Sequence, residues 1–326
     1  MRLDNKKVLV TGGAGFIGSA LVRKLLDFKA NVIVYDNFVS GHPANLSEIM
    51  QDVTVLTGDI RDPNFKNVLI NHNVDLVFHL AAEPYIPHCY EYPRKFFDVN
   101  ASGTMNVMLA CLDAGVKRVL HYSSSEIYGT AQYLPMDENH PTNPYSTYAV
   151  SKLASDRLCF TLYHEQGLPV VILRQFNCYG SRETHPYIIP ELISQISRTG
   201  KLKLGNIKAR RDYTYVEDAV EGAIKLIQTK KAIGEAINLG TGKDWSVEEL
   251  AHLLARLMGR RHIEIKIEKR KLRPHDVNRL CADYSKAKKL CGWRPKTSFE
   301  KGLEATIGWY RENREKWIWE MRKWSL

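Results

Sequence analysis

The sequence predicts an α/β fold, a doubly wound parallel sheet with a smaller α/β lobe on its C-terminal side, and three observations predict it. Val8-Leu9-Val10 is an uncharged apolar run that stops at a turn spaced by Gly12, Gly15 and Gly18. Similar short apolar runs recur along the chain, separated by stretches with apolar residues at helical spacing. At 326 residues the chain also exceeds what one core usually serves, so a second unit is expected. Uncharged runs of this length read as strands buried on both faces, and their alternation with helices gives a parallel sheet that binds ligands at its strand C-terminal ends.

The first strand leads into the glycine turn. Gly12 permits a sharp bend, Gly15 lets a pyrophosphate approach the backbone, and Gly18 lets the following helix pack closely. That helix begins near Phe16 and points its unpaired N–H groups at the phosphates. Residues 31–35 read as the second strand. Asp36 at its end, about 20 residues past the turn, is placed to accept hydrogen bonds from an adenosine ribose, which favours NAD over NADP. Residues 37–45 form a Gly/Pro/Asn-rich loop, and 53–56 a third strand leading to Gly58-Asp59-Ile60, where an acidic and an apolar side chain could flank adenine. Residues 75–80 are the next buried strand, followed by the small Ala81 and Ala82, which let a cofactor lie close. The spacing then predicts a helix over 96–114, a strand over 117–122 ending in Ser123-Ser124-Ser125-Glu126, a long helix over 145–166 and a strand over 169–173.

Past Asn177 the rhythm changes. Helices are expected over 191–198, 218–229, 247–258 and 298–319, with strands over 201–204 and 235–239. No low-complexity linker intervenes, so the lobe should pack on the first domain. The boundary falls between 1–178 and 179–326, with part of about 213–240 packing back on the first unit. Trp317, Trp319 and Trp324 read as packing residues.

The net charge of +10 is carried by residues 260–326, where 19 Lys and Arg face 9 Asp and Glu. This block lacks the basic and aromatic interleaving of a single-strand groove, so nucleic acid is not an expected partner. A solvated basic surface that also attracts an anionic nucleotide substrate is the expectation. No apolar run approaches ~18 residues, so no membrane span is expected and a cytoplasmic location is. Cys89, Cys111, Cys159, Cys178, Cys281 and Cys291 form no CxxC pair and no His/Cys cluster at ligand spacing, which predicts reduced thiols and no metal.

Tyr148 and Lys152, in YSTYAVSK, lie four residues apart and so on one helix face. An ammonium near a phenol favours the phenolate, lowering the tyrosine pKa toward the working pH and making it a usable general base. Taken alone such a pair is more often a surface pair. After a dinucleotide-type turn and a serine-tipped strand it reads as catalytic.

TGGAGFIGS, Asp36, Asp59-Ile60, HLAA, the serine-tipped strand and Tyr148-xxx-Lys152, in this order, resemble the extended short-chain dehydrogenase/reductase family acting on nucleotide sugars, over essentially the whole chain. RQFNCYG from Arg174, RDYTYVED from Arg211 and RPHD from Arg273 extend the match. The resemblance implies a Rossmann domain, a tightly held NAD, a nucleoside-diphosphate sugar as substrate, and a homodimer joined through the helices over 96–114 and 145–166. It places the cofactor against Gly12, Gly15, Phe16, Ile17, Gly18, Asp36, Asn37, Asp59, Ile60, Ala81, Ala82, Asn100, Ser123, Tyr148 and Lys152. It places the substrate against Asn177, Arg182, Asn206, Arg211, Arg273 and Asp276, where forked guanidinium groups suit phosphate oxygens.

Ser124, Ser125 and Glu126 bear on the reaction type. In the family's 4-epimerases the position of Glu126 is usually small or apolar, whereas the 4,6-dehydratases carry a glutamate there. SSSEIYG is most similar to the GDP-mannose-type and N-acetylhexosamine 4,6-dehydratases, and implies that Tyr148 and Ser124 act at the 4-hydroxyl while Glu126, with Ser125, handles the C5 proton and the departing C6 hydroxyl. Two departures bear on the substrate. Tyr35-Asp36-Asn37 lacks the basic residues of NADP-preferring GDP-mannose enzymes, and Ser125 replaces the aspartate of the dTDP-glucose enzymes. A 4-epimerase, a UDP-glucuronate decarboxylase and a non-catalytic NAD-binding scaffold remain as alternatives.

Overall fold

The structure, a computed structural model, describes residues 1–314 and Trp317. Its strands are β1 (Lys7–Thr11), β2 (Asn31–Asp36), β3 (Thr54–Thr57), β4 (Leu76–His79), β5 (Arg118–Ser124), β6 (Val170–Gln175), β7 (Asn177–Tyr179), β8 (Lys201–Leu204), β9 (Arg210–Tyr215), β10 (Ala236–Leu239), β11 (Asp244–Ser246) and β12 (Glu264–Ile267). Seven of them form one sheet in the order β10-β6-β5-β4-β1-β2-β3, with neighbours parallel throughout. The direction of winding reverses between β1 and β4, which opens a crevice at their carboxyl ends.

Strand periodicity divides the interior into two cores. Val8 and Val10 face one side of the sheet, with the helices Phe16–Asp27 and Val216–Gln228. Leu9 faces the other, with Phe65–Asn71, Thr104–Asp113 and Thr147–Gln166. Val216–Gln228 and β10 come from the C-terminal part of the sequence yet complete the first core: Val220 and Ile224 are buried with Leu21 and Leu25. The lobe proper packs Ile188–Arg198, Val247–Leu257 and Phe299–Glu312 around Leu192, Leu254, Leu303 and Tyr310. Of the two small sheets, β12-β8 packs in the lobe's core, and β11-β9-β7 touches the helix Val216–Gln228.

Strands β7, β9, β11 and β12 and the helices Phe65–Asn71 and Ser285–Cys291 lie outside the sequence expectation, and several expected helices have other bounds. The helix expected over 96–114 is broken into Pro93–Phe97, a π-helical stretch Asp98–Gly103 and Thr104–Asp113. Such a stretch re-aims a side chain, and here Asn100 turns inward. The long helix starts at Thr147 rather than at 145, because the Ser146 backbone is extended and its hydroxyl accepts from the Ala149 N–H at 3.1 Å. At the C-terminus the helix Phe299–Glu312 is followed by a buried Trp317, whose indole N–H donates to the Tyr310 carbonyl at 2.8 Å. Trp319 and Trp324 lie outside the described residues. All six cysteines are free thiols. Among the described residues no helix is long and apolar enough to cross a membrane, and no cluster of His, Cys, Asp and Glu could hold a metal ion.

Candidate active site

A cavity of about 1190 Å³ runs from the β1 turn and the end of β2, past the tip of β5, to the face between β9 and the segment Arg270–Asp276. Its first half is shaped by glycine. A Cβ on Gly12, which has φ +71°, would lie 2.8 Å from the Ala81 nitrogen, and one on Gly18 would lie 2.1 Å from the Gly12 carbonyl oxygen. The turn therefore presses directly on β4 and on the following helix. Gly15 caps that helix with extended backbone and no side-chain bond, so its first-turn amides open onto the cavity. Gly12, Gly15, Phe16, Ile17, Gly18, Asp36, Asn37, Ile60, Ala81 and Ala82 all line this half.

Asp36 accepts from the Ala14 and Phe38 amides at 2.9 and 2.8 Å, which fixes its carboxylate at the end of β2 beside the cavity. A glycine-lined approach, open helix amides and a strand-end carboxylate fit a dinucleotide. Two expected contacts sit elsewhere. Asp59 is gripped by Arg61 and Asn37, which hold its carboxyl well below the usual range, and it lies between the lining residues Gly58 and Ile60 rather than on the wall. Asn100 is buried and clamps the backbone of Glu83 from both sides, at 2.8 and 3.1 Å, while also donating to Ser151. It shapes the wall without facing the cavity. The Ser123 hydroxyl likewise turns inward and donates to Asp156 at 2.7 Å.

The second half gathers the chemistry. Tyr148 bonds to Ser124 and stands with its phenol pushed up to about 12, chiefly by burial and further by the Glu126 carboxylate, against the lowering pull of Ser124. This corrects the expectation of a lowered phenol. Lys152 shares the helix face, but its Nζ bends back and donates to the Tyr122 carbonyl at 2.5 Å, and burial pulls the ammonium itself down to about 8. Both groups line the cavity.

Glu126 sits in the single 3₁₀ turn Ser125–Tyr128 at the tip of β5, where its amide donates to the Ser124 hydroxyl at 3.2 Å. Its carboxylate is 3.7 Å from the Arg211 guanidinium. Arg211 is fixed by donating to the Arg210 and Val277 carbonyls, and it shares Asp276 with Arg273 at 3.5 and 3.4 Å. Asn206 donates to the other Asp276 oxygen at 3.1 Å. Asn177 completes this wall. The two guanidinium groups here face the carboxylates of Glu126 and Asp276, and their forked geometry suits the oxygens of a diphosphate. The Arg273 segment meets the chain just before the catalytic helix through His275, whose ring lies against Tyr145 at 3.9 Å and a tilt of 37°.

Arg182 is not part of this wall. Its backbone is left-handed, with φ +67°, and its guanidinium pairs with Glu48 at 2.7 Å and lies over Trp309. Sequence reasoning also missed lining groups. Tyr85 stacks on His185 at 5.3 Å and meets Tyr187 edge-on, giving an aromatic wall. Glu183 is fully buried against the cavity, and burial raises its carboxyl well above the usual range. The proline-flanked YIPH and THPY stretches were the available signal for the aromatics, while nothing in the sequence marks Glu183 as buried.

The chain matches the family model of GDP-mannose 4,6 dehydratase over residues 9–306. It is 35% identical to a UDP-N-acetyl-alpha-D-glucosaminuronate decarboxylase of Bacillus cytotoxicus, over 94% of this chain and 98% of that enzyme. Among solved structures it resembles DesIV, a dTDP-glucose 4,6-dehydratase from Streptomyces venezuelae solved with NAD bound, with TM-score 0.88 and 33% identity over 95% of this chain and 98% of that one. It resembles equally a UDP-glucose 4-epimerase from Thermotoga maritima solved with UDP-glucose, with TM-score 0.88 and 30% identity over 94% and 99%. Proteins similar to this chain thus carry the names of three different nucleotide-sugar reactions, and the chain belongs to the GDP-mannose 4,6-dehydratase family, a branch of the extended short-chain dehydrogenases/reductases.

Proposed function

We propose that the protein is an NAD-dependent nucleotide-sugar 4,6-dehydratase acting on a GDP- or UDP-linked hexose or N-acetylhexosamine. The observation that carries this reading is the Glu126 carboxylate, on the cavity wall two residues past Ser124 and close enough to Tyr148 to raise its phenol. NAD, when bound along the glycine turn and Asp36, supplies the hydride acceptor for C4 and the hydride donor for C6. Arg211, Arg273 and Asn206 hold the diphosphate. Tyr148 takes the 4-hydroxyl proton while Ser124 fixes the 4-oxygen. The resulting ketone acidifies C5, and Glu126 removes that proton. The C6 hydroxyl leaves as water with a proton from Glu126 or Ser125, and a proton restored at C5 completes the 4-keto-6-deoxy product.

Incubation with a panel of UDP-, GDP-, dTDP- and CDP-sugars including UDP-glucuronate, followed by mass spectrometry, tests this. One sugar is expected to lose one water, and Glu126→Gln to slow that loss at least about 10²-fold, the usual weight of a general acid–base group. Isomerisation without mass change that survives Glu126→Gln would replace the reading with a 4-epimerase. Release of carbon dioxide from the uronate would replace it with a decarboxylase.

The same reading makes the protein a cytoplasmic homodimer. Phe97, Met105 and Leu109 on the broken helix and Val150 on the catalytic helix are each exposed by about two-fifths. Such apolar exposure suits a partner surface. Light scattering should return twice the chain mass of 37.3 kDa, and Leu109→Lys with Val150→Glu should halve it.

A further inference from the structure

Beneath the cavity lies a buried polar network that no step of the proposed reaction uses. Asp156 sits on Thr147–Gln166 one turn past Lys152. Its carboxylate accepts Nε and Nη2 of Arg174 at 2.9 and 3.0 Å and the Ser123 hydroxyl at 2.7 Å. Arg174, on β6, also donates Nη1 to the Tyr128 hydroxyl at 2.9 Å and to the Glu138 carbonyl at 3.2 Å. The Tyr128 hydroxyl donates to Asn238 Oδ1, on β10, at 2.8 Å. Asn238 is fixed in turn by the Glu138 carboxylate, which accepts its amide at 2.8 Å, and by the Met136 carbonyl at 3.0 Å. Asp156, Tyr128 and Asn238 are 0% exposed and Arg174 is 4%.

Each branch ends beside a residue of the site. Ser123 precedes Ser124, Asp156 follows Lys152 by one helical turn, and Tyr128 shares the turn Ser125–Tyr128 with Glu126. That turn is short, and at its end the Gly129 amide donates to the Glu126 carbonyl at 3.2 Å. Gly129, at φ +67°, ends it where a Cβ would meet the Asn143 carbonyl oxygen at 2.1 Å. The Tyr128 side chain thus adds a hydrogen-bonded tie from the turn, through Arg174 and Asp156, to the helix carrying Tyr148, beside the packing of Ile127 near Leu153. A buried ion pair gives little net stability over apolar filling, but a forked guanidinium accepts only one arrangement of its partners and so fixes geometry.

We propose that the Ser123–Asp156–Arg174–Tyr128–Asn238 network is a positioning device that holds Glu126 in register with Tyr148, so that the base for C5 faces the same sugar whose 4-hydroxyl Tyr148 deprotonates. This rests on the dehydratase reading. Tyr128, Arg174, Asp156 and Asn238 act through Glu126 and Tyr148.

Tyr128→Phe removes one oxygen and keeps the ring. Amides of residues 125–129 are expected to exchange with deuterated water at least tenfold faster, with the amides of Thr147–Gln166 unchanged. In the panel assay kcat for water loss should fall roughly 10- to 100-fold, the effect of misplacing a reacting group by about 1 Å, with KM within about threefold. Solvent deuterium incorporation at C5 should fall by the same factor. If the wild type loses no water from any sugar, the dehydratase reading falls, and the exchange measurement still decides the network. Unchanged exchange at 125–129 overturns the proposal, as does a kcat within twofold of a dehydrating wild type. Should Tyr128→Phe not yield folded protein, Arg174→Lys keeps a charge beside Asp156 but loses the fork on it and the bond to Tyr128, and must give the same pattern.

Discussion

Lys152→Met yields a protein that melts several degrees higher than the wild type near pH 7 and turns substrate over about 10³-fold more slowly. The stability gain follows from burial, which draws the ammonium from 10.5 down to about 8 with one bond to the Tyr122 carbonyl in return. That difference corresponds to roughly 3 kcal/mol of penalty on the charged form. The folded value lies below the unfolded one, so between about pH 8 and 10.5 the unfolded chain binds more protons and wild-type stability rises with pH. Below pH 8 the penalty is present in full. Methionine fills similar space without the charge, so the two melting temperatures should converge as the pH is raised across that window. The loss of turnover follows because the phenolate formed when Tyr148, standing at about 12, gives up its proton needs a cation in the same cavity, and Lys152 lines that cavity. Calorimetry at about pH 7 and about pH 10 checks the first half, and a gap that does not narrow would refute it. Initial rates on the panel substrate check the second.

Gly18→Ala should lower the melting temperature by several degrees or prevent folding, and abolish measurable NAD binding. The added Cβ would lie 2.1 Å from the Gly12 carbonyl oxygen and 2.9 Å from both the Gly12 carbonyl carbon and the Gly13 Cα, all backbone atoms that cannot swing aside. The start of Phe16–Asp27 must lift off the β1 turn, at a cost of about 1–3 kcal/mol or more, and its open amides move with it. Gly15→Ala is the contrasting case. It has φ −74° and its Cβ would meet only the Gly12 carbonyl oxygen, at 3.1 Å, so the fold should hold within a degree or two. The methyl would still project where a pyrophosphate comes close, so NAD affinity should fall at least about tenfold. Thermal melts beside isothermal titration with NAD separate the two. A Gly18→Ala variant that melts with the wild type would show that the turn has slack the geometry denies.

The sheet, the glycine turn, the strand-end Asp36 and the Tyr148/Lys152 helix are legible in the residues alone, because each is written within about one element. Strand burial shows as an uncharged run, helix face as a spacing of four, and close backbone approach as glycine. Where polar side chains beyond a strand end turn follows from packing instead. Asn100 faces Glu83 because a π-helical stretch re-aims it, Arg182 faces Glu48 and Trp309 because its backbone is left-handed, and Ser123 faces Asp156 across 33 residues of sequence. The Lys152 ammonium bonds the Tyr122 carbonyl 30 residues away, so the shared helix face did not set the Tyr148 phenol. Arg211, Arg273 and Asn206 converge on Asp276 from three separate segments. A polar side chain settles on whichever partner removes its desolvation cost, and that partner is supplied by distant chain brought near by packing, which no local pattern records.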